Sequence, residues 1–165
     1  MENTKFGYFS IDRFSLKYPN WQKLEIDLTL IWPKEIAEKE KILLYLVNPD
    51  GITMLVTKRE LSPEDLEKPY PLVLRKIFEE ETEILKEKGG LTSWQNIRED
   101  FFENGVILES KVVIFGKATA SISELIILRE GDRRYIYSIG ISAEERIFED
   151  YLLLANYIID SISYY

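Results

Sequence analysis

Hydrophobic and polar positions alternate over several stretches of the chain and then switch to helical spacing twice. In residues 6–19, Phe9, Ile11, Phe14, Leu16 and Tyr18 keep a loose alternation, which predicts extended structure up to Pro19, a residue that donates no ladder hydrogen bond. In residues 23–31, Leu24, Ile26, Leu28 and Leu30 alternate with Glu25, Asp27 and Thr29, predicting a half-buried strand closed by Trp32-Pro33 and a polar connection to Glu40. Residues 42–47, ILLYLV, form a continuous apolar run, the pattern of a strand covered on both faces. Asn48-Pro49-Asp50-Gly51 is a turn signal, and residues 52–57 return as the second strand of a hairpin.

Helical spacing then takes over. Ser62, Pro63 and Asp65 suit a short capped turn that Pro69 and Pro71 interrupt. The main helix is predicted over residues 71–88, with Leu74, Ile77, Phe78 and Leu85 on one face and Gly89-Gly90 as its cap. Residues 94–102 read as extended. Asn104-Gly105 predicts a hairpin turn of the primed type. The β-branched and aromatic runs 106–116, 121–129 and 134–142 then predict a meander, with Glu130-Gly131-Asp132 as its last turn. In the last run, Tyr135, Tyr137, Ile139 and Ile141 share one face, and Ile136, Ser138 and Gly140 the other. A second helix over 143–162 follows from Phe148, Tyr151, Leu152, Ala155, Ile158, Ile159 and Ile162, with Ser142 and Glu145 spaced as a capping box. Tyr164-Tyr165 reads as a frayed tail. The expected fold is α+β: an α-β-α sandwich with a central, mainly antiparallel sheet and helices packed on its faces. The simplest organisation is one domain over residues 1–165.

The segment FSLKYPNW (14–21) is similar to the opening of PsbP-like proteins, a family that includes the extrinsic PsbP subunit of photosystem II and a Ran-binding nuclear import factor. The family places a Gly before the Trp; here Asn20 precedes Trp21. IIDSIS (158–163) stands in for the family's terminal helix end, and the order of elements matches over nearly the whole chain. The resemblance implies the same sandwich. It implies no single function, because the family's members differ in role, and it brings no catalytic residues.

Composition narrows the chemistry. The 165 residues contain no His and no Cys, which removes the usual neutral-pH general base, the thiolate nucleophile and the commonest transition-metal ligands. No activity as an enzyme, no cofactor and no metal site are expected. A net charge of −8 argues against nucleic acid and anionic membranes as partners, and no apolar run is long enough to span a bilayer. The first residues lack a signal-peptide pattern, which fits a cytoplasmic protein as written, or an exported one already processed. Two Met, two Gln and no Cys beside abundant Glu, Lys and Ile resemble a thermophile's composition.

The charge is uneven. Residues 61–104 hold 11 acidic and 6 basic side chains, net −5, with most of the excess in the run Glu79, Glu80, Glu81 and Glu83 with Glu87 beyond, of which Glu79, Glu80, Glu83 and Glu87 are the candidate docking residues. On a helix this run is either a docking strip for a basic protein surface or a solvated face. Trp21, Trp32 and Trp94 fall at strand ends, where a ring is either an interface anchor or a plug for the sandwich. The segment GDRR (131–134) can grip an anion or simply form a hairpin tip, and Glu99-Asp100, Glu144-Glu145 and Glu149-Asp150 lack the convergence of a hydrolase pair. These features favour a non-catalytic module that docks on another protein. The alternatives are a small-molecule carrier, with a pocket between sheet and helix lined by Phe78, Tyr135 and Tyr137, and a carboxylate-dependent hydrolase.

Overall fold

The computed structural model describes residues 5–165 apart from Asp12. A hairpin of β1 (Phe6–Ile11) and β2 (Phe14–Pro19) opens the chain. The main sheet contains β3 (Gln22–Lys23), β4 (Lys41–Val47), β5 (Thr53–Glu60), β6 (Leu91–Phe102), β7 (Gly105–Ile114), β8 (Lys117–Glu130) and β9 (Arg133–Glu144). Its strands lie in the order β3-β4-β5-β9-β8-β7-β6, and every pair is antiparallel. A short helix α1 (Lys34–Ala37) precedes β4, α2 (Tyr70–Lys88) joins β5 to β6, and α3 (Glu145–Asp160) follows β9. A last strand, β10 (Ser163–Tyr164), pairs with β2 to complete a separate three-stranded sheet.

The molecule is therefore an α-β-α sandwich, as its periodicities predict. On one face of the main sheet, α3 and β2 close the larger core, with Phe14, Leu16, Phe148, Ala155 and Ile158 against Ile122, Ile126, Ile139 and Ile141. On the other face, α2 closes a smaller core of Leu61, Val73, Leu74, Ile77, Val106, Ile127 and Ile136. Among the described residues, no helix is long and apolar enough to cross a membrane.

Several local expectations are corrected. Residues 23–31 are not a strand: beyond Lys23 the chain leaves the sheet and forms a 3-10 turn at Leu28–Leu30, where Asp27 accepts from the Thr29 backbone N–H. That side-chain bond offers the backbone an alternative to a ladder, and Leu30 is left 79% exposed. Ser142 caps no helix. It stays in β9, and α3 begins at Glu145 without a side-chain cap. The β6–β7 turn residues are Glu103 and Asn104, with Phe102 opposite Gly105, and neither turn residue has a positive φ. The turn with two positive φ values is instead Phe115-Gly116, between β7 and β8. Tyr164 is not frayed, since it packs on Phe14 from β10.

Candidate functional site

The two faces of the sheet differ in side-chain size, and the difference makes a cleft. Toward α3, β8 and β9 present Ile122, Ile126, Ile139 and Ile141. Toward α2, the same strands present Thr119, Ser121, Ser123, Ser138, Gly140 and Ser142. Such small residues cannot fill the space beneath a helix. The apolar residues that do fill it, Ile127, Ile136 and Val106, gather toward one end of the strands. Beyond them lies a cleft of about 380 Å³, open to solvent, between α2 and the sheet.

A polar row set by register crosses this face of the sheet, and its Ser142, Ser121 and Ser110 line the cleft. Thr53, Ser142, Ser121, Ser110 and Asn96 lie opposite one another on five successive strands. The Thr53 and Ser142 hydroxyls are 3.0 Å apart. At the other end of the row, Ser110 Oγ donates to Asn96 Oδ1 at 3.0 Å, and Trp94 Nε1 donates to the same oxygen at 2.8 Å. Trp94 is thereby held at the rim. Its ring meets Phe78 of α2 edge-on, with centroids 4.8 Å apart. Trp32, Ile31 and Ile36, from the segment before β4, form the opposite wall.

Three charged side chains also line the cleft. Arg59 of β5 is 8% exposed. Its Nη1 donates to Glu81 Oε1 of α2 and lies 3.8 Å from Glu40 Oε1. One cation thus faces two carboxylates. Burial pushes both carboxyls above their ordinary values; the Arg59 charge opposes the shift, and at Glu40 the Glu81 charge reinforces it.

The site residues expected from the sequence divide between two faces of α2. Glu79, Glu80, Glu83 and Glu87 are all exposed on its outer side, away from the cleft. Of these, Glu83 pairs with Lys86 at 3.2 Å. Trp32 and Trp94 are at the cleft, whereas Trp21 packs against the larger core. Phe78 lines the cleft, but Tyr135 and Tyr137 do not: period-2 alternation sends them to the α3 side, where the Tyr137 hydroxyl donates to Glu130 beside Lys58. The GDRR segment is a hairpin tip. Arg134 stacks on Tyr70, 4.4 Å from its centroid, and donates to the Lys68 carbonyl. Arg59 is not singled out by the sequence pattern, and Glu81 stands in the acidic run without being among the candidate docking residues. The signal was present, because Glu81 falls on the same stripe as Leu74, Ile77, Phe78 and Leu85. A charge there requires a partner beneath the helix. Among the described residues, no group of three or more Asp or Glu side chains is placed to hold a metal ion.

No protein-family model and no curated protein matches the sequence. Solved structures do match the fold. LpqN of Mycobacterium tuberculosis, described as involved in cell envelope biogenesis, aligns with a TM-score of 0.60 at 13% identity, covering 98% of this chain and 91% of LpqN. Cyanobacterial PsbP from Synechocystis sp. PCC 6803 aligns at 0.59 and 14% identity, covering 97% and 92%. The Ran-binding protein Mog1p of Saccharomyces cerevisiae aligns at 0.54 and 14%, covering 98% and 96%. The resemblance to PsbP-like proteins thus holds at the level of fold.

Proposed function

We propose that this protein is a non-catalytic interaction module, one domain over residues 1–165, that docks on another protein through the α2 side of its sheet. The observation that carries this reading is the cleft with Trp32 and Trp94 at its mouth, which no other segment of the described chain fills. Half-exposed aromatic side chains at the lip of a concavity are the usual anchors of an interface. Ile31 lines the mouth at 51% exposure, next to the exposed Leu30. Glu79, Glu80, Glu83 and Glu87 on the outer side of α2 favour a basic partner, because a single-sign field speeds its approach. Mog1p, whose fold this chain shares, is a Ran-binding protein, and that precedent supports a protein partner. A non-catalytic role agrees with the cleft's own chemistry: its one cation is engaged by carboxylates, and its hydroxyls have neither His nor Cys beside them.

Capture of partners from the source cell, compared between the native protein and two variants, tests this. Trp32→Ala with Trp94→Ala should abolish capture. Glu79→Lys with Glu80→Lys and Glu83→Lys should weaken it at low salt while leaving the thermal midpoint almost unchanged. Undiminished capture by both variants contradicts the reading.

A further inference from the structure

We propose that the cleft is a receptor for one basic side chain, a Lys or Arg on an apolar-flanked segment of the partner protein, whose cation sits against Glu40 and Glu81 while its stem lies along the aromatic wall. The proposal rests on the reading of the cleft as the docking element and specifies its chemistry.

Three features of the cleft select this occupant. The first is size and shape. A cavity of about 380 Å³ with aromatic walls and an open mouth admits one extended side chain and its flanking residues. The second is charge. Arg59 is the cation in contact with Glu40 and Glu81, so with all three ionised this trio carries one negative charge in excess, which the exposed Lys39 offsets only from farther off. The Arg59 and Glu40 side chains are only 9% and 13% exposed, so water screens the Glu40 charge poorly, while Glu81, at 31%, is reached from the mouth of the cleft. A second cation at contact distance would supply the close partner that the pair of carboxylates lacks. An anion or a neutral apolar group would not. The third is the wall itself. Trp32, Phe78 and Trp94 present ring surface and edges to a passing side chain. An aliphatic stem packs on such surface, and its cation is attracted by ring faces. The floor hydroxyls of Ser121 and Ser138 can bond the segment's backbone in either sense, as donor or acceptor. The acidic outer side of α2 and the overall charge of −8 act in the same direction during approach.

The test uses the intact protein and blocked peptides, followed by NMR through the indole signals of Trp32 and Trp94. The probes are acetyl-Leu-Lys-Leu-amide, its norleucine counterpart, which keeps the stem and removes the charge, and the free amine 4-phenylbutylamine. The lysine peptide should shift both indole signals and bind at least about fivefold more tightly than the norleucine peptide. Glu81→Gln should erase that preference, as should Glu40→Gln, which serves if the first variant folds poorly. Glu149→Gln, exposed on α3 across the sheet from the cleft, should leave the preference intact. Equal binding of the two peptides, or a preference that survives both cleft variants, overturns the cation assignment while leaving the docking reading in place. Binding of the amine without the peptide shows a small-molecule site and overturns the assignment to a partner segment. No shift with any probe at millimolar concentration overturns the proposal outright; the capture experiment with the tryptophan variants then decides the docking reading separately.

Discussion

Arg59 Nη1 donates to the carboxylate of Glu81 beneath α2, joining β5, next to its end at Glu60, to the one acidic side chain on that helix's inward stripe. Glu40, 3.8 Å from the same nitrogen, brings in the segment just before β4. Three stretches distant in sequence are thus tied at one buried point. A buried ion cluster costs desolvation, and its worth shows when one member is removed.

Arg59→Met should therefore destabilise the protein by about 3 kcal/mol at neutral pH, since two carboxylates lose the cation in contact with them and keep only the more distant Lys39 charge. The loss should shrink as the pH falls toward 4.5, because burial makes both groups take up protons above that ordinary carboxyl value and the loss of the Arg59 charge raises them further. Combining Arg59→Met with Glu40→Leu and Glu81→Leu should restore much of the stability, because an apolar replacement of the whole cluster removes the desolvation cost. Urea unfolding at pH 4 and pH 7 distinguishes these outcomes.

Asp65 ties a different corner. Its carboxylate accepts from Lys68 at 2.9 Å, Ser62 Oγ at 2.9 Å and Lys76 of α2 at 3.2 Å. The Lys68 hydrogen bond leads in lowering its pKa from 3.8 to about 2. A lowered folded-state pKa contributes stability that is present above 3.8 and is lost as the pH falls toward 2. Asp65→Asn should cost roughly 1–2 kcal/mol at pH 7 and almost nothing at pH 2, read as the difference in thermal midpoint between variant and native protein.

What the sequence made legible follows from which interactions are local. The two long helices and the meander were readable because 3.6- and 2-residue periods record burial directly, as at Ile158 and Ile139. The strand expected over residues 23–31 failed because alternation alone cannot see that Asp27 bonds its own neighbours, nor that the sheet edge ends at Lys23. The exposed glutamates of α2 were legible as a run, while Glu81 was hidden inside it, since its partner Arg59 lies 22 residues away. Trp32 and Trp94 were singled out only as members of a set with Trp21. Only the fold shows that they share a cleft.

Gly105 shows the same limit at a single position. The Asn-Gly pair suggests a need for positive φ, yet Gly105 lies in β7 with an ordinary backbone. What it needs is space. A Cβ there would sit 2.3 Å from the Leu125 carbonyl oxygen and 2.6 Å from the Phe102 ring. Gly105→Ala should destabilise by roughly 2 kcal/mol or more, because a backbone atom on β8 cannot move aside without disturbing the ladder. Gly131→Ala offers a contrast. Its Cβ would meet nothing, so only its positive φ of 66° opposes the change, and the cost should stay near 1 kcal/mol. Thermal midpoints of the two variants rank them.

Glu124 gives the clearest pH signature on the α3 side. It is 6% exposed in β8, and its Oε2 has no hydrogen-bond partner among the described residues. Burial pushes its pKa above 4.5, and the Asp160 charge adds to the effect against the pull of the Tyr164 hydroxyl. A raised acid pKa means that the folded state holds its proton longer than the unfolded state does. Stability from this group therefore declines as the pH rises through 4.5 and continues to fall until the folded-state pKa is passed. Glu124→Gln removes the ionisation but keeps the shape. The variant should match the native protein near pH 4 and exceed it at pH 8, by about 1 kcal/mol, because an amide in the same place still lacks a full set of partners. Glu40 and Glu81 titrate in the same direction in both proteins, so the difference between the two curves isolates Glu124. A difference that is flat with pH would mean that Glu124 ionises in the folded protein as freely as it does in the unfolded chain.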